Sequence, residues 1–235
     1  MQPIQHLGAK LWLHHVSKLT KRLRQTPNAR HFQFKSVLVF TVQWFRLGGR
    51  RYSLLNAALG FTKGIMKINI RNADIKDAHS IALVHVTSWA QAYDGLLPKS
   101  FIESYNIERR QKLWSNTLSD NLASVLVAEM GNEIVGFLSY RKPRGEQSNN
   151  SIELNSLYVA PGLFGCGVGS DLFDYFEKRM LNSSYTQIVL WALDTNQIAL
   201  NFYLKHGFCE TGLQGKERLD GTILNDLQMV KSIKA

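Results

Sequence analysis

The stretch YVAPGLFGCGVGSDLF, residues 158–173, constrains the fold of this chain more than any other. Gly165, Gly167 and Gly169 follow an apolar run and precede a run with helical spacing of apolar residues. Because glycine costs conformational entropy, three at alternate positions indicate a tight turn or a close approach to the backbone. A strand, a glycine-rich turn and a helix in this order present unpaired N–H groups that can bind an anion.

The glycine spacing separates this turn from two other phosphate-binding loops. No Gly-Lys-Ser/Thr sequence follows the glycines, so the turn is not a Walker loop. A dinucleotide fingerprint would require glycine at position 170 or 172, where the chain has Ser170 and Leu172. The turn alone is equally compatible with a phosphate-binding loop and with a structural strand–helix junction.

Charge divides the chain into two segments. Residues 1–65 contain eleven of the 28 Lys and Arg residues and no Asp or Glu, so 66–235 holds 17 basic and 18 acidic residues. We therefore predict a basic, acid-free extension at 1–65 and a nearly neutral domain at 66–235. Three interpretations of the extension stay open: an organelle transit peptide, a binding arm, or a misassigned start that makes Met66 the initiator.

Composition excludes several classes of protein. A hydrophobic share of 45% and a charged share of 20% are typical of a globular protein. Cys166 and Cys209 are too few for a disulfide framework and form no metal-ligand pattern, so we expect no metal and a reducing compartment.

The sequence favours a location in the cytoplasm, with organelle import as the alternative. The apolar run 36–45 is too short for a transmembrane segment.

Periodicity and turn residues predict a mixed α/β domain with mostly antiparallel strands. Val168, Leu172, Phe173, Phe176 and Met180 define the apolar face of one helix. In chain order the predicted elements are a strand at 67–73, a helix at 74–93 capped by Asp74 or Asp77, short helices at 98–106 and 107–118, a hairpin at 123–143 turning at Gly131–Asn132, a strand at 152–160, a helix at 165–182, a strand at 187–193, a helix at 196–207 ending at Gly207, and a hairpin at 208–230 turning at Asp220–Gly221.

Two motifs together resemble the GCN5-related N-acetyltransferase (GNAT) superfamily. Its phosphate loop follows a strand ending in Val-x-Pro, here Val159 to Pro161, and has the pattern Arg/Gln-x-x-Gly-x-Gly/Ala, here Phe164, Gly167 and Gly169. Its later motif, Asn-x-x-Ala-x-x-Phe-Tyr-x-x-x-Gly-Phe, is matched in full at 196–208. The stretch SWAQAYDGLLP with ERRQKLW also resembles many bacterial members, so the resemblance covers about 67–232.

The resemblance implies a mixed, mostly antiparallel central sheet flanked by helices, and transfer of an acetyl group from acetyl-CoA to a primary amine of a small molecule or peptide. The loop amides would bind the pyrophosphate, and the strand at 157–159 would separate from its neighbour and offer its backbone to the pantetheine. The cofactor-binding residues implied in this way are Leu157, Tyr158, Val159, Phe164, Gly165, Cys166, Gly167, Val168, Gly169, Ser170 and Asn196.

The resemblance also implies two catalytic residues. Tyr203 would lie near the sulfur and protonate the leaving thiolate, and a neutral phenol is a suitable general acid for this step. Because Phe202 and Tyr203 point about 100° apart on a helix, we expect Phe202 to face the core and Tyr203 to face the gap between strands. Glu153 occupies a place where some members keep a general base, and strand alternation predicts one face for Glu153, Asn155 and Leu157.

Each candidate also has a structural interpretation. Trp89, Tyr93 and Asp94 would line the acceptor pocket, with Asp94 attracting the amine, or they would belong to the core and a helix cap. Asn196 is equally suited to cap a helix. Tyr203 would otherwise be a half-buried helix aromatic, and Glu153 a solvated charge.

Phe164 departs from the superfamily pattern because phenylalanine cannot donate to a phosphate. This departure keeps open a CoA-binding module without catalysis. A third hypothesis, a nucleic-acid-associated protein using 1–65 as a basic arm, is disfavoured because that segment has no repeated motif and an apolar middle. The acceptor amine and the oligomeric state, with a homodimer as one option, stay open.

Overall fold

The computed structural model describes residues 68–143, 150–219 and 222–234, without the side chains at 219 and 222, together with the strand pair Arg46–Leu47 and Arg50–Arg51. The chain divides into two units, Met1–Ser53 and Leu54–Ala235. In the first unit the two short strands pair antiparallel. The other features of 1–65, the turn Asp220–Gly221 and most of the polar loop after residue 143 lie outside the described residues. The boundary at 65/66 stays a prediction.

The second unit contains a seven-stranded sheet. Its strands are β1 (Ile68–Asn72), β2 (Ser124–Met130), β3 (Glu133–Arg141), β4 (Ser151–Val159), β5 (Gln187–Leu193), β6 (Cys209–Leu219) and β7 (Thr222–Ser232). Their order in the sheet is β1-β2-β3-β4-β5-β7-β6. Every neighbouring pair is antiparallel except β4–β5, which is parallel, so the predicted mixed and mostly antiparallel sheet is confirmed.

Within the residues that the structure describes, five α-helices flank the sheet: α1 (Ala78–Ala92), α2 (Lys99–Ser104), α3 (Ile107–Ser119), α4 (Val168–Leu181) and α5 (Gln197–Lys205). Short 3-10 turns precede α1 and α4, at Ile75–Asp77 and Pro161–Leu163. Asp74 and Asp77 form a capping box around the first of these turns, which confirms the predicted helix start.

The two faces of the sheet are covered by different helices. Phe137 of β3 packs against Trp114 of α3 (centroids 4.9 Å apart), within a core cluster that includes α1. Tyr140, three residues further along the same strand, contacts Phe176 of α4 on the opposite face (4.8 Å). The predicted apolar face of α4 is confirmed, because all five of its members are buried.

A β-bulge in β4 corrects one prediction about the candidate base. The β3–β4 register pairs Ser139 with Ser156 and Tyr140 with Leu154, so Asn155 is an extra residue. Residues paired across strands point to the same face, and Glu153 is paired with Arg141 whereas Leu157 is paired with Leu138. Glu153 and Leu157 therefore lie on opposite faces, and the prediction of one shared face is wrong because unbroken alternation was assumed.

The sheet opens between its two parallel strands. β4 and β5 pair at Ser151–Gln187, Ile152–Ile188 and Glu153–Val189, and no further pairs join the described residues of these strands. Both strands continue beyond this point, to Val159 and Leu193. The result is an opening in the middle of the sheet, as the resemblance implies for residues 157–159.

Candidate active site

A glycine-rich loop lies at one end of this opening. Gly165 and Gly167 have left-handed φ angles of +75° and +88°, which L-residues rarely adopt, and this explains two of the three glycines seen in the sequence. Gly167 is the N-cap of α4 and supplies no side chain to cap the first turn. The first N–H groups of a helix have no acceptor within the helix, so α4 presents these groups at the loop. A Cβ added at Gly165 would meet no atom within 4 Å, so the loop surface is open there.

The end of β4 turns part of its backbone toward the opening. The N–H of Ala160 donates to the carbonyl of Val135 in β3 (2.8 Å). Because hydrogen-bonded and non-hydrogen-bonded residues alternate in antiparallel pairs, the backbone groups of Leu157 and Val159 face away from β3. The Val159 carbonyl accepts a hydrogen bond from the Ser88 hydroxyl of α1 (2.8 Å), which fixes α1 against the end of β4.

Three phenols from separate elements interact next to the opening. The Tyr93 side chain, just after α1, has hydrogen-bonding interactions with Tyr158 of β4 and with Asn196. Burial raises the pKa of Tyr203 on α5 well above its ordinary value, and the neighbouring Tyr93 adds to this effect. Burial likewise raises the pKa of Tyr158. Tyr203 is therefore a neutral phenol at physiological pH and still carries its proton.

On α5, the burial of Phe202 and Tyr203 differs from the prediction that Phe202 faces the core and Tyr203 faces the gap between strands. Tyr203 is buried, with 9% of its surface exposed, whereas Phe202 is only partly buried. Phe202 contacts Phe173 of α4, and Tyr203 contacts Phe208, which follows the helix. The expectation that only Phe202 would belong to the core is wrong, because Tyr203 is itself buried and its ring packs against Phe208.

The remaining predicted residues divide into two groups. Asn196 caps α5, since its Oδ1 accepts the Ala199 N–H (3.2 Å), and it also contacts Tyr93, so its two suggested roles are compatible. Asp94 is exposed on the turn after α1. The structure thus joins Trp89, Tyr93, Asn196 and Tyr203 through contacts between neighbours but leaves Asp94 at the surface.

An aromatic cluster extends from Tyr93. The Trp89 ring stacks on Tyr105 (centroids 4.0 Å apart, planes 5° apart) and contacts Tyr93 (4.2 Å). The Arg110 guanidinium lies 3.4 Å from the centre of the Tyr105 ring. The buried Trp89 Nε1 has no hydrogen-bond acceptor among the described residues. Sequence analysis missed Tyr105, because an aromatic between two short helices carries no specific signal.

His85 packs against the rings of this cluster, and the sequence did not point to it either. Trp114 Nε1 donates to His85 Nδ1 (3.1 Å), and the imidazole stacks on Tyr158 (4.9 Å). Burial, together with the nearby Arg110 charge, lowers the pKa of His85 to about 3. His85 is therefore neutral at physiological pH and holds the Tyr158 ring in place without adding charge.

Comparison with known proteins agrees with this arrangement. The model of the acetyltransferase (GNAT) family matches residues 88–208, a span that runs from α1 to the end of α5. The chain belongs to the GNAT acetyltransferase family. This GNAT protein is therefore an acyltransferase, as the sequence resemblance implies.

Two curated relatives are similar over most of their own length. The uncharacterized N-acetyltransferase YuaI of Bacillus subtilis is 28% identical over 131 residues, which cover 55% of this chain and 73% of the relative. A probable N-acetyltransferase of Mycobacterium tuberculosis, Rv2775, is 26% identical over 146 residues, which cover 60% of this chain and 79% of the relative.

Solved structures share the fold. PaiA N-acetyltransferase from Thermoplasma acidophilum, solved in complex with coenzyme A, has a TM-score of 0.56 at 26% identity and covers 71% of this GNAT chain and 99% of its own. The acetyltransferase yncA from Salmonella typhimurium, solved with acetyl-CoA, has a TM-score of 0.55, covers 72% of this chain and 95% of its own, and at 18% identity shows the fold alone.

Two features are absent from the part of the chain that the structure describes. Over 68–143, 150–219 and 222–234, no three His, Cys, Asp or Glu side chains come together as a potential metal site. No helix within the same residues has the length and apolar character needed to cross a membrane.

Proposed function

We propose that this GNAT protein transfers an acetyl group from acetyl-CoA to a primary amine of a small molecule or peptide. The observation that carries the proposal is the position of Tyr203. A buried, neutral phenol stands beside an opening in the sheet, and the start of α4, which has anion-binding geometry, lies next to Phe202 of α5, the helix that carries this phenol. The coenzyme-A complex of the Thermoplasma relative supports the choice of cofactor.

The residues of the loop fit the chemistry of coenzyme A. A pyrophosphate needs several N–H donors and a backbone that it can approach closely, and the start of α4 with Gly165 and Gly167 provides both. The backbone groups of Leu157 and Val159, which face away from β3, would hold the amide-containing arm of the cofactor. When bound, acetyl-CoA supplies the activated thioester carbonyl.

The proposed mechanism assigns one proton transfer to Tyr203. As the amine nitrogen attacks the carbonyl and the carbon–sulfur bond breaks, the phenol donates its proton to the sulfur. Tyr93 and Asn196 fix the surroundings of the phenol by their mutual contact. This mechanism assigns no step to Glu153, whose role as a base acting directly or through water stays a prediction from the sequence.

A two-step experiment tests this proposal. Calorimetry with acetyl-CoA and the full chain should show saturable binding, and a thiol-release assay with a panel of primary amines should show turnover on at least one class. Binding without turnover on any amine would favour the alternative suggested by Phe164, a coenzyme-A-binding protein without catalysis. Absence of binding would overturn both. The cytoplasmic location and the homodimer stay predictions.

A further inference from the structure

We propose that Asp226 of β7, rather than Glu153, accepts the proton that the acceptor ammonium loses before it attacks the thioester. The inference rests on the proposed function and deepens it, because it assigns the base at the acceptor side of the opening. Sequence analysis missed Asp226. The sequence signal that points to Asp226 is a charged residue within TILNDLQMV, a strand in which apolar and polar residues alternate.

The register of the sheet places Asp226 one strand beyond the opening, across β5 and level with its open end. Asp226 is paired with Leu193, the last residue of β5, and on its other side with Gly215 of β6. Gly215 has no side chain to cover the carboxylate, and a Cβ added there would lie 3.7 Å from the Asp226 Cβ. The Asp226 charge acts on Tyr93, which in turn acts on Tyr203, so these three side chains lie near one another.

The surroundings of Asp226 favour a carboxylate that takes up a proton. Burial, together with the charges of Glu217 on β6 and Asp194 after β5, raises the pKa of Asp226. Tyr93 faces it from the end of α1 and is itself neutral. Asp194 is held in place by Asn225, whose side-chain amide donates to Asp194 Oδ2 (3.3 Å) and whose carbonyl accepts the Asp194 N–H (2.9 Å). This acidic end also attracts a cationic amine.

Glu153 occupies a different place. Its Oε1 accepts a hydrogen bond from the Asn155 side chain (2.6 Å), and its strand position is the last at which β4 and β5 still pair. Its partner on β5 is Val189, whereas Asp226 is opposite Leu193. Four residues separate these positions along β5, which corresponds to about 13 Å of strand. Glu153 therefore lies at the closed end and Asp226 at the open end.

The proposed step conserves atoms and charge. The ammonium gives one proton to the Asp226 carboxylate, and its freed electron pair forms the carbon–nitrogen bond with the thioester carbonyl carbon. The carbon–sulfur bond then breaks with its electron pair on sulfur, which takes the proton of Tyr203. The second proton lost by nitrogen restores Tyr203, and the proton on Asp226 passes to solvent. The products are the amide, the free thiol and one proton.

The test compares Asp226→Asn with Glu153→Gln in the full chain, using the fastest acceptor among n-butylamine, 1,4-diaminobutane, glycinamide and Nα-acetyl-lysine amide. For Asp226→Asn we expect kcat/KM to fall about 100-fold near pH 7. The loss should shrink steadily toward pH 9.5, because more of the amine, with a pKa of about 10.4 for a lysine-type amine, is then already deprotonated. Acetyl-CoA affinity should be unchanged. Glu153→Gln should stay within about threefold of wild type at every pH.

A loss in Asp226→Asn that is equal at all pH values would indicate a structural role and overturn the inference, as would a pH-dependent loss in Glu153→Gln instead. A second measurement follows the carboxyl carbon of Asp226 by NMR in the wild-type chain. It should titrate above the ordinary aspartate value of about 3.9, and a lower value would also overturn the inference. Absence of turnover with every amine would overturn the proposed function, and this inference with it.

Discussion

The two halves of the proposed site are built from different parts of the polypeptide. On the cofactor side, the end of β4, the turn at 161–167 and the start of α4 form one continuous segment that offers mainly backbone groups. On the acceptor side, side chains come from α1, α5 and β7, which are distant in sequence. A backbone site can be recognised from glycine spacing, whereas a side-chain site becomes visible only when the elements meet.

The difference also predicts which half can change without loss of the fold. The backbone half depends on left-handed glycines and on a helix start, so substitutions there affect cofactor binding whatever the acceptor is. The side-chain half can exchange residues while β4, α4 and the loop stay intact. Function on a shared fold varies through such sites. Four substitutions test this division, in order of decreasing expected effect.

Gly167→Val should weaken acetyl-CoA binding about 100-fold, the equivalent of losing one or two charge-assisted hydrogen bonds. The branched side chain would stand at the N-cap of α4 and would force valine into a φ of +88°. Calorimetry measures the affinity. Gly212→Val is the matched control, because Gly212 has a similar φ of +82° and open space around it. Equal affinities in the two variants would show that the loop is only a structural junction.

Tyr203→Phe should fold normally, bind acetyl-CoA nearly as well as wild type and turn over at least about tenfold more slowly. The loss should appear in kcat more than in KM, because the phenol acts only as the thiolate leaves. Tyr175→Phe, at an exposed position on α4, is the control and should keep full activity. Unchanged turnover in Tyr203→Phe, with chemistry shown to be rate-limiting, would remove this residue from the mechanism.

Trp191→Ala should raise the KM for the acceptor about threefold and leave acetyl-CoA affinity unchanged. The indole is 38% exposed on β5, opposite Gln228, and therefore lies on the same sheet face as Asp226. Steady-state kinetics with varied amine measure the effect. Leu213→Ala, at an exposed position on β6, is the control. A change in acetyl-CoA affinity instead of acceptor KM would contradict the division into two halves.

Phe164→Arg should tighten acetyl-CoA binding about twofold, because a guanidinium at this partly buried position adds a screened contact to a phosphate. Calorimetry at low and high salt measures the effect, and the gain should shrink as salt rises. Phe164→Leu, which adds no donor, should bind as wild type does. A gain in both variants would indicate a packing effect rather than a contact to phosphate.

Much of the fold could be predicted because its signals are local. The face of α4, the strand at 187–193 and the hairpin at Gly131–Asn132 follow from periodicity and turn chemistry. The bulge at Asn155 could not be predicted in this way, because one extra residue in a strand leaves no mark on composition. This extra residue is the reason why Glu153 and Leu157 lie on opposite faces of the sheet and not on the same face, as the sequence predicted.

The sequence by itself determined the order of elements, the GNAT motifs and the backbone half of the site, because glycines, caps and apolar spacing act between neighbouring residues. Only the tertiary structure decided that Tyr93, Tyr158 and Tyr203 interact, that His85 is neutral beneath them, and that Asp226 lies near them. The physical reason is that burial and proximity set these properties, and both arise only when strands and helices distant in the chain pack together.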